Sequence, residues 1–325
     1  MGPIHPTLDE LDAARSIVYR HIPATPQYQW PLLCDRVGCD VWVKHENHTP
    51  IGSFKIRGGV VYLENLLKAL PKLKGVVTPT RGNHGQSVGF ASRAYGVPAV
   101  VVVPKGNSAE KNAAIRAFGV DLVEHGDDFQ DSYEHAQALA EQEDLHFWRT
   151  WHPHLVQGVA SYSLELLQAV PDLDIAYVPI GHGSGISGMI QARNALGHHV
   201  EIVGVVSEQF PAYFKSFAAG KLISTDAAMT IADGVACRSP DPDAIDVILG
   251  GAARIVTVSE DEIENAMRVY YTDTHNVAEG AGALPLAALL KEDKERIKGK
   301  KCGVVLSGGN VDAAIMASLL SPTAG

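Results

Sequence analysis

Pro179-Ile180-Gly181-His182-Gly183-Ser184-Gly185-Ile186-Ser187-Gly188 joins a strand to a helix through glycines. Ile175 to Ile180 is a short apolar run, the pattern of a strand buried on both faces. Ser187 to Leu196 carries a helical pattern. Successive backbone N–H groups in such a loop, followed by a helix start, cradle a phosphate. No Gly-Lys-Ser/Thr follows, so a triphosphate loop is excluded. Gly183, Gly185 and Gly188 match Gly-x-Gly-x-x-Gly, which leaves a dinucleotide reading open at this point.

The same rhythm extends in both directions. Asp40 to His45 alternates as a strand, and Ser53 reads as the N-cap of a helix to about Leu70, closed by Pro71. Then come strand 75–78, helix 84–95, strand 99–103, helix 109–118, strand 120–124 and helix 128–141, with Asp127-Asp128 as an N-cap pair. A helix around 156–167 precedes the quoted stretch, and strand 202–206 follows it. Strand 255–258, strand 302–306 and helix 311–319 complete the series. Thr7-Leu8-Asp9-Glu10 and Ser259-Glu260-Asp261-Glu262 are capping boxes that open helices. Short Val/Ile strands alternating with helices predict an α/β fold with mostly parallel sheets flanked by helices. The loops that follow strands then carry the site.

Composition narrows the function. The 325 residues suit about two domains. Lys plus Arg number 27 and Asp plus Glu 37, a net charge of −10 that offers no footprint for nucleic acid or an anionic membrane. No apolar run reaches the roughly 20 residues of a membrane span. Met1 to Pro6 has no charged or apolar signal region, and Pro6 stands where N-myristoylation at Gly2 wants Ser or Thr. Cys34, Cys39, Cys237 and Cys302 form no Cys-x-x-Cys pair, which fits a reducing compartment. The expectation is a soluble cytoplasmic enzyme.

Three further segments carry chemistry. Gly52-Ser53-Phe54-Lys55-Ile56-Arg57-Gly58-Gly59 places a lysine in the first turn of a helix, the end where a cation gains nothing from the dipole. Lys55 is either a solvated side chain or an amine of lowered pKa that forms a Schiff base. Thr80-Arg81-Gly82-Asn83-His84-Gly85-Gln86 follows a strand and opens a helix whose free N–H groups suit a carboxylate, unless it is an ordinary turn. Leu306-Ser307-Gly308-Gly309-Asn310 ends another strand, with Ser307 either a ligand partner or an N-cap.

Taken in order, these segments resemble the fold-type II pyridoxal-phosphate enzymes of the threonine/serine dehydratase and serine racemase branch, whose fold is that of the tryptophan synthase β chain. Glu46-Asn47, the segment 52–58, Gly82-Asn83-His84-Gly85, the loop 181–188, Ile231-Ala232-Asp233-Gly234, Glu279-Gly280-x-Gly282-Ala283 and Ser307-Gly308-Gly309-Asn310 carry the resemblance over nearly the whole chain. It implies a large domain of 1–70 plus 152–325 and a small inserted domain of 71–151. It implies pyridoxal 5′-phosphate as cofactor, with Lys55 as Schiff-base lysine and base at Cα. Phe54 would lie against the ring, Asn83 at the 3′ oxygen, and Ser307 at the ring nitrogen. Gly181, His182, Gly183, Ser184 and Gly185 would hold the phosphate. Ser53, Arg81, Gly82, Asn83 and His84 would face the substrate. The implied reaction removes the β-hydroxyl of threonine or serine and gives a 2-oxo acid and ammonia. A homo-oligomer, first of all a dimer, is implied as well.

The chain departs from that pattern in three places. Arg81 replaces the serine of racemases and the usual alanine of dehydratases, and arginine is a poor general base. It suits an anion instead, so a nonstandard β-hydroxy amino acid with an acidic or aromatic side chain is the alternative substrate. Glu208, Ala212 and Phe214 occupy the cation positions, and phenylalanine cannot ligate a hard cation. No metal is expected there, nor at His152-Pro153-His154 or His198-His199, which lack ligand spacing. His182 and Ser184 replace glycines of the phosphate loop. Two rivals stand beside the lyase. One is an amino-acid racemase with His84 as second base. The other is a dinucleotide protein, for which Glu201 and Glu208 are the nearest acidic ribose partners. Cys237 reads as a small buried residue.

Overall fold

Alternate residues of the strand Ile175–Pro179 face opposite helix layers. Ala176 and Val178 pack among the helices Pro153–Ala169, Ser184–Leu196 and Pro242–Gly251. Ile175 and Tyr177 pack among the helices Glu260–Thr274 and Gly280–Leu290. The period of two and burial on both faces identify a covered parallel sheet. The computed structural model describes residues 5–226 and 228–321. The leader and Gly2 readings fall largely on residues 1–4, outside the described residues.

In chain order the strands are β1 (Gln27–Gln29), β2 (Asp40–His45), β3 (Val76–Pro79), β4 (Ala99–Val103), β5 (Asp121–Glu124), β6 (His146–Phe147), β7 (Ile175–Pro179), β8 (Glu201–Ser207), β9 (Arg254–Val258) and β10 (Lys301–Leu306). They form a six-stranded sheet, β1-β2-β10-β7-β8-β9, and a four-stranded sheet, β5-β4-β3-β6. All pairings are parallel except β1 with β2. The smaller sheet also alternates, with Val101 and Val103 facing one apolar cluster and Val102 the other. The helix Lys55–Ala69 lends Ile56, Val60, Val61 and Leu63 to that first cluster.

Both capping boxes form, at Thr7 with Glu10 and at Ser259 with Glu262. Several expectations need correction. Ser53 caps no helix: Phe54 precedes the helix in helical conformation, and no side chain caps it. Ser53 instead pairs with Gly308 in an isolated antiparallel bridge, which ties the approach to the helix against the loop after β10. The helix after the glycine loop starts at Ser184, three residues before Ser187, because Gly183 at φ +91° already turns the chain. Only Asp128 of the acidic pair caps with its side chain; the backbone N–H of Asp127 donates to Asp131. β1, β6 and the helices Pro31–Val37, Ala212–Ala219 and Pro242–Gly251 add to the elements that the sequence pattern predicts. No helix among the described residues is long and apolar enough to cross a membrane.

Candidate active site

The carboxyl ends of β2, β3, β7 and β10 lead into the segments singled out by sequence. Hydrogen bonds draw them together. Gly309 N–H donates to Gly52 O at 2.9 Å, and Phe54 N–H donates to Ser307 O at 3.0 Å. Ser87 Oγ donates to the Lys55 carbonyl at 2.6 Å, which fixes the first turns of the helix Asn83–Tyr95 to the lysine's own turn. Asn83 Nδ2 donates to Glu279 Oε1 at 2.7 Å. Phe54 meets Tyr162 edge to face at 6.1 Å, and Tyr162 O–H donates to Gly185 O at 3.1 Å. Phe54 and the glycine loop thus share one wall.

Lys55 Nζ lies 4.7 Å from the centre of the Phe54 ring. Loss of water pulls its pKa down, and the Glu279 carboxylate opposes the fall. His84 is pushed down to about 3, by burial first and then by the charges of Lys55 and His182. His182 falls to about 4, by burial and then by Lys55. Both imidazoles are therefore neutral at pH 7. Glu279 rises to about 7, chiefly through burial and then Asp233, against the pull of Lys111, Asn83 and Lys55. Lys111 and Asp233 form an ion pair.

The glycines are needed for space. A Cβ on Gly181 would lie 2.5 Å from Gly234 O, and one on Gly183 would lie 2.7 Å from Ala244 Cβ. Beyond them, the first N–H groups of the helix Ser184–Leu196 have no partner within the helix. Ser307 is buried beside Phe54. Arg81 is not gathered in by contacts. Its side chain is exposed, its carbonyl accepts from Asn107 Nδ2 at 3.2 Å, and no ion pair reaches it among the described residues. Cys237 is buried, with Sγ 3.9 Å from His182 Nδ1. No group of three or more His, Cys, Asp or Glu placed to hold a metal exists among the described residues.

A family model described as "Pyridoxal-phosphate dependent enzyme" matches residues 18–308. The chain belongs to that family. It is 31% identical to the L-threonine ammonia-lyase of Thermotoga maritima, over 97% of this chain and 78% of the relative. It is 31% identical to the L-threo-3-hydroxyaspartate ammonia-lyase of Saccharomyces cerevisiae, over 98% of this chain and 97% of the relative. Among solved structures, maize serine racemase superposes with a TM-score of 0.90 at 26% identity, covering 97% of each chain. Pyridoxal phosphate is thus the cofactor of this enzyme. The buried polar atoms fit such a ligand. Ser53 Oγ, His84 Nε2 and Ser187 Oγ find no partner among the described residues, and unpaired buried polar groups are costly unless something bonds them. Of the two acidic ribose partners open to the dinucleotide reading, Glu208 follows the carboxyl end of β8. Glu201 opens β8 at the amino end and is paired with Arg254 and Arg296.

Glu279, Asn310, Lys111 and Tyr162 received no role from sequence. Glu279 and Asn310 stand inside glycine-rich motifs, and a polar residue among close-packed glycines is the signal that points to them. Lys111 and Tyr162 lie in plain helical patterns without one.

Proposed function

We propose that this pyridoxal-phosphate enzyme is an ammonia-lyase that eliminates the β-hydroxyl of threonine or serine. The placement of Lys55 carries the reading: a buried amine at a helix start, stripped of water and set against the Phe54 ring, near enough to two uncharged imidazoles to influence both. Lys55 would hold the cofactor covalently, Phe54 would meet its ring, Asn83 its 3′ oxygen and Ser307 its ring nitrogen. Gly181, His182, Gly183, Ser184 and Gly185 would hold its phosphate. When bound, pyridoxal phosphate supplies an electron sink at Cα.

The protein's own groups do the rest. Ser53, Gly82, Asn83 and His84 face the substrate carboxylate, which the N-terminus of the helix Asn83–Tyr95 also favours. Lys55 Nζ, with its lowered pKa, takes the Cα proton. Ser307 offers a hydroxyl where a carboxylate would force a proton onto the ring nitrogen. That favours prompt departure of the β-hydroxyl. Water lost in elimination is regained in hydrolysis, so the products are a 2-oxo acid and ammonia. Small domain 71–151 closes on large domain 1–70 plus 152–325 and excludes water. The smaller sheet, drawn wholly from 76–147, supports that division. We place the enzyme in the cytoplasm by its few scattered cysteines, and the homodimer rests on the family resemblance alone.

One observation favours a second substrate class. Arg81 stands free of ion pairs beside Gly82 and Asn83, among the described residues, and the yeast relative is named for an acidic β-hydroxy amino acid. An arginine there suits a second carboxylate.

The test is the visible spectrum of wild type and Lys55→Ala, before and after L-threonine. A band lost in the variant, with 2-oxo acid formed only by wild type, supports the lyase. A band without turnover of threonine or serine keeps the cofactor, opens the substrate class and turns the search to Arg81. No band after added pyridoxal phosphate overturns the reading of the site.

A further inference from the structure

We infer that Asn310 and Glu279 are positioning residues that lock the Asn83 amide in one orientation and leave it a single N–H for the cofactor ring. The inference rests on the proposed contact of Asn83 with pyridoxal phosphate, and it adds what sets that contact.

The lock starts from a group that cannot change its role. The Ile51 carbonyl only accepts, and Asn310 Nδ2 donates to it at 2.8 Å. That settles which end of the Asn310 amide is nitrogen. The second hydrogen of the same Nδ2 goes to Asn83 Oδ1 at 2.7 Å. With its oxygen so committed, Asn83 must turn Nδ2 the other way, and there it meets Glu279 Oε1 at 2.7 Å. Flipping Asn310 would set Oδ1 against the Ile51 oxygen. Flipping Asn83 would set Oδ1 against the Glu279 carboxyl and Nδ2 against another Nδ2. Flipping Asn310 thus loses the Ile51 bond, and flipping Asn83 sets two donors against each other whatever the protonation of Glu279. Asn83 Nδ2 keeps one hydrogen, which no described residue takes.

The surroundings hold both outer members in place. Glu279 N–H donates to Gly308 O at 3.1 Å. A Cβ on Gly308 would lie 2.3 Å from Glu279 Oε1, so only glycine leaves the carboxyl its position. A Cβ on Gly52, at φ +64°, would lie 2.5 Å from Asn310 Oδ1. The relay therefore joins four segments of the chain: the turn before Lys55, the loop after β3, the start of the helix Gly280–Leu290 and the loop after β10. Two asparagines in series transmit a fixed backbone carbonyl to the edge of the ligand.

The test measures pyridoxal-phosphate affinity by absorbance titration of resolved and reconstituted enzyme, and the pH at which its visible band changes. Far-UV circular dichroism checks that each variant folds. Asn83→Ala comes first: unchanged affinity would refute the contact itself, and with it the reading of this part of the site. If Asn83→Ala weakens binding, the lock is judged by Asn310→Asp and Asn310→Ala. Aspartate cannot donate to Ile51 or Asn83, so binding should weaken about tenfold, the scale of one lost hydrogen bond of ~1.4 kcal/mol, and the band's titration should move. Glu279→Gln keeps an accepting oxygen and should stay within about threefold of wild type. In the Asn83→Ala background, Asn310→Ala should add nothing, because its effect passes through Asn83. Full additivity of the two alanine changes, or wild-type affinity and titration in Asn310→Asp, would overturn the lock while leaving the cofactor contact intact. Asn310→Ala alone serves the same comparison if the aspartate variant does not fold.

Discussion

Arg57 grips Glu46 with two parallel bonds, Nε to Oε2 at 2.7 Å and Nη2 to Oε1 at 3.0 Å, and neither side chain is exposed to solvent. The other edge of the guanidinium reaches Glu165 at 2.6 and 3.0 Å. Lys44 Nζ completes the set on Glu165 at 2.5 Å. Two cations and two carboxylates are thus buried together, with Thr25 and Ser161 filling remaining hydrogen-bond sites. Removing one member leaves an uncompensated charge, which costs about 3–5 kcal/mol. Arg57→Leu should therefore destabilise the enzyme by about that amount in urea titration. A loss below about 1 kcal/mol would mean that the pair is solvated.

Arg81 makes the substrate question experimental. If it clamps a second carboxylate, Arg81→Ala should raise KM for 3-hydroxyaspartate about tenfold or more, the scale of a lost charge-assisted hydrogen bond. KM for threonine should hardly move. Steady-state kinetics on both substrates decides it. Equal effects on the two, or none on either, would remove Arg81 from substrate choice.

The sequence exposed the site unevenly, for physical reasons. Lys55, Asn83, Ser307 and the loop 181–185 lie where strand patterns end and glycines begin, so local signals mark them. The continuous apolar β7 and β8 runs are likewise local. Ser53 misled because an N-cap residue and a bridge residue look alike in one dimension; its partner Gly308 is distant in sequence. β1 has only three residues, and a strand that short has no period to detect. Arg57, Glu46 and Glu165 were unreadable as a unit, since Glu165 sits inside a helical pattern and joins the others only through packing.

Gly158 tests how closely the helix bearing Lys55 must approach its neighbour. A Cβ at Gly158 would lie 2.3 Å from Arg57 O, and one at Gly58 would lie 2.8 Å from Leu155 O. Both obstructions are backbone, which cannot swing aside. Gly158→Ala should cost about 1–3 kcal/mol through overpacking, although alanine favours helix elsewhere. Thermal unfolding measures the cost, and a stabilised variant would show that the helices can part freely.

His45 should make the enzyme sensitive to acid from outside the reacting groups. It is fully buried, and its Nε2 accepts from Trp30 Nε1 at 3.0 Å, so the ring is neutral at that nitrogen. Burial above all, and then the charges of His48 and Lys44, push its pKa down to about 4 against the Asn47 bond. In the unfolded chain it returns to about 6.5. Between those values the unfolded state binds more protons than the folded one, so stability falls as pH falls from 6.5 toward 4. At pH 5 the loss is about 2 kcal/mol, at ~1.4 kcal/mol per pH unit below 6.5. His45→Gln keeps an acceptor for Trp30 but does not titrate. Urea titrations at pH 7 and pH 5 should therefore show a smaller acid loss in His45→Gln than in wild type, by about that 2 kcal/mol. The same loss in both proteins would mean that His45 is already protonated in the fold or keeps its unfolded pKa.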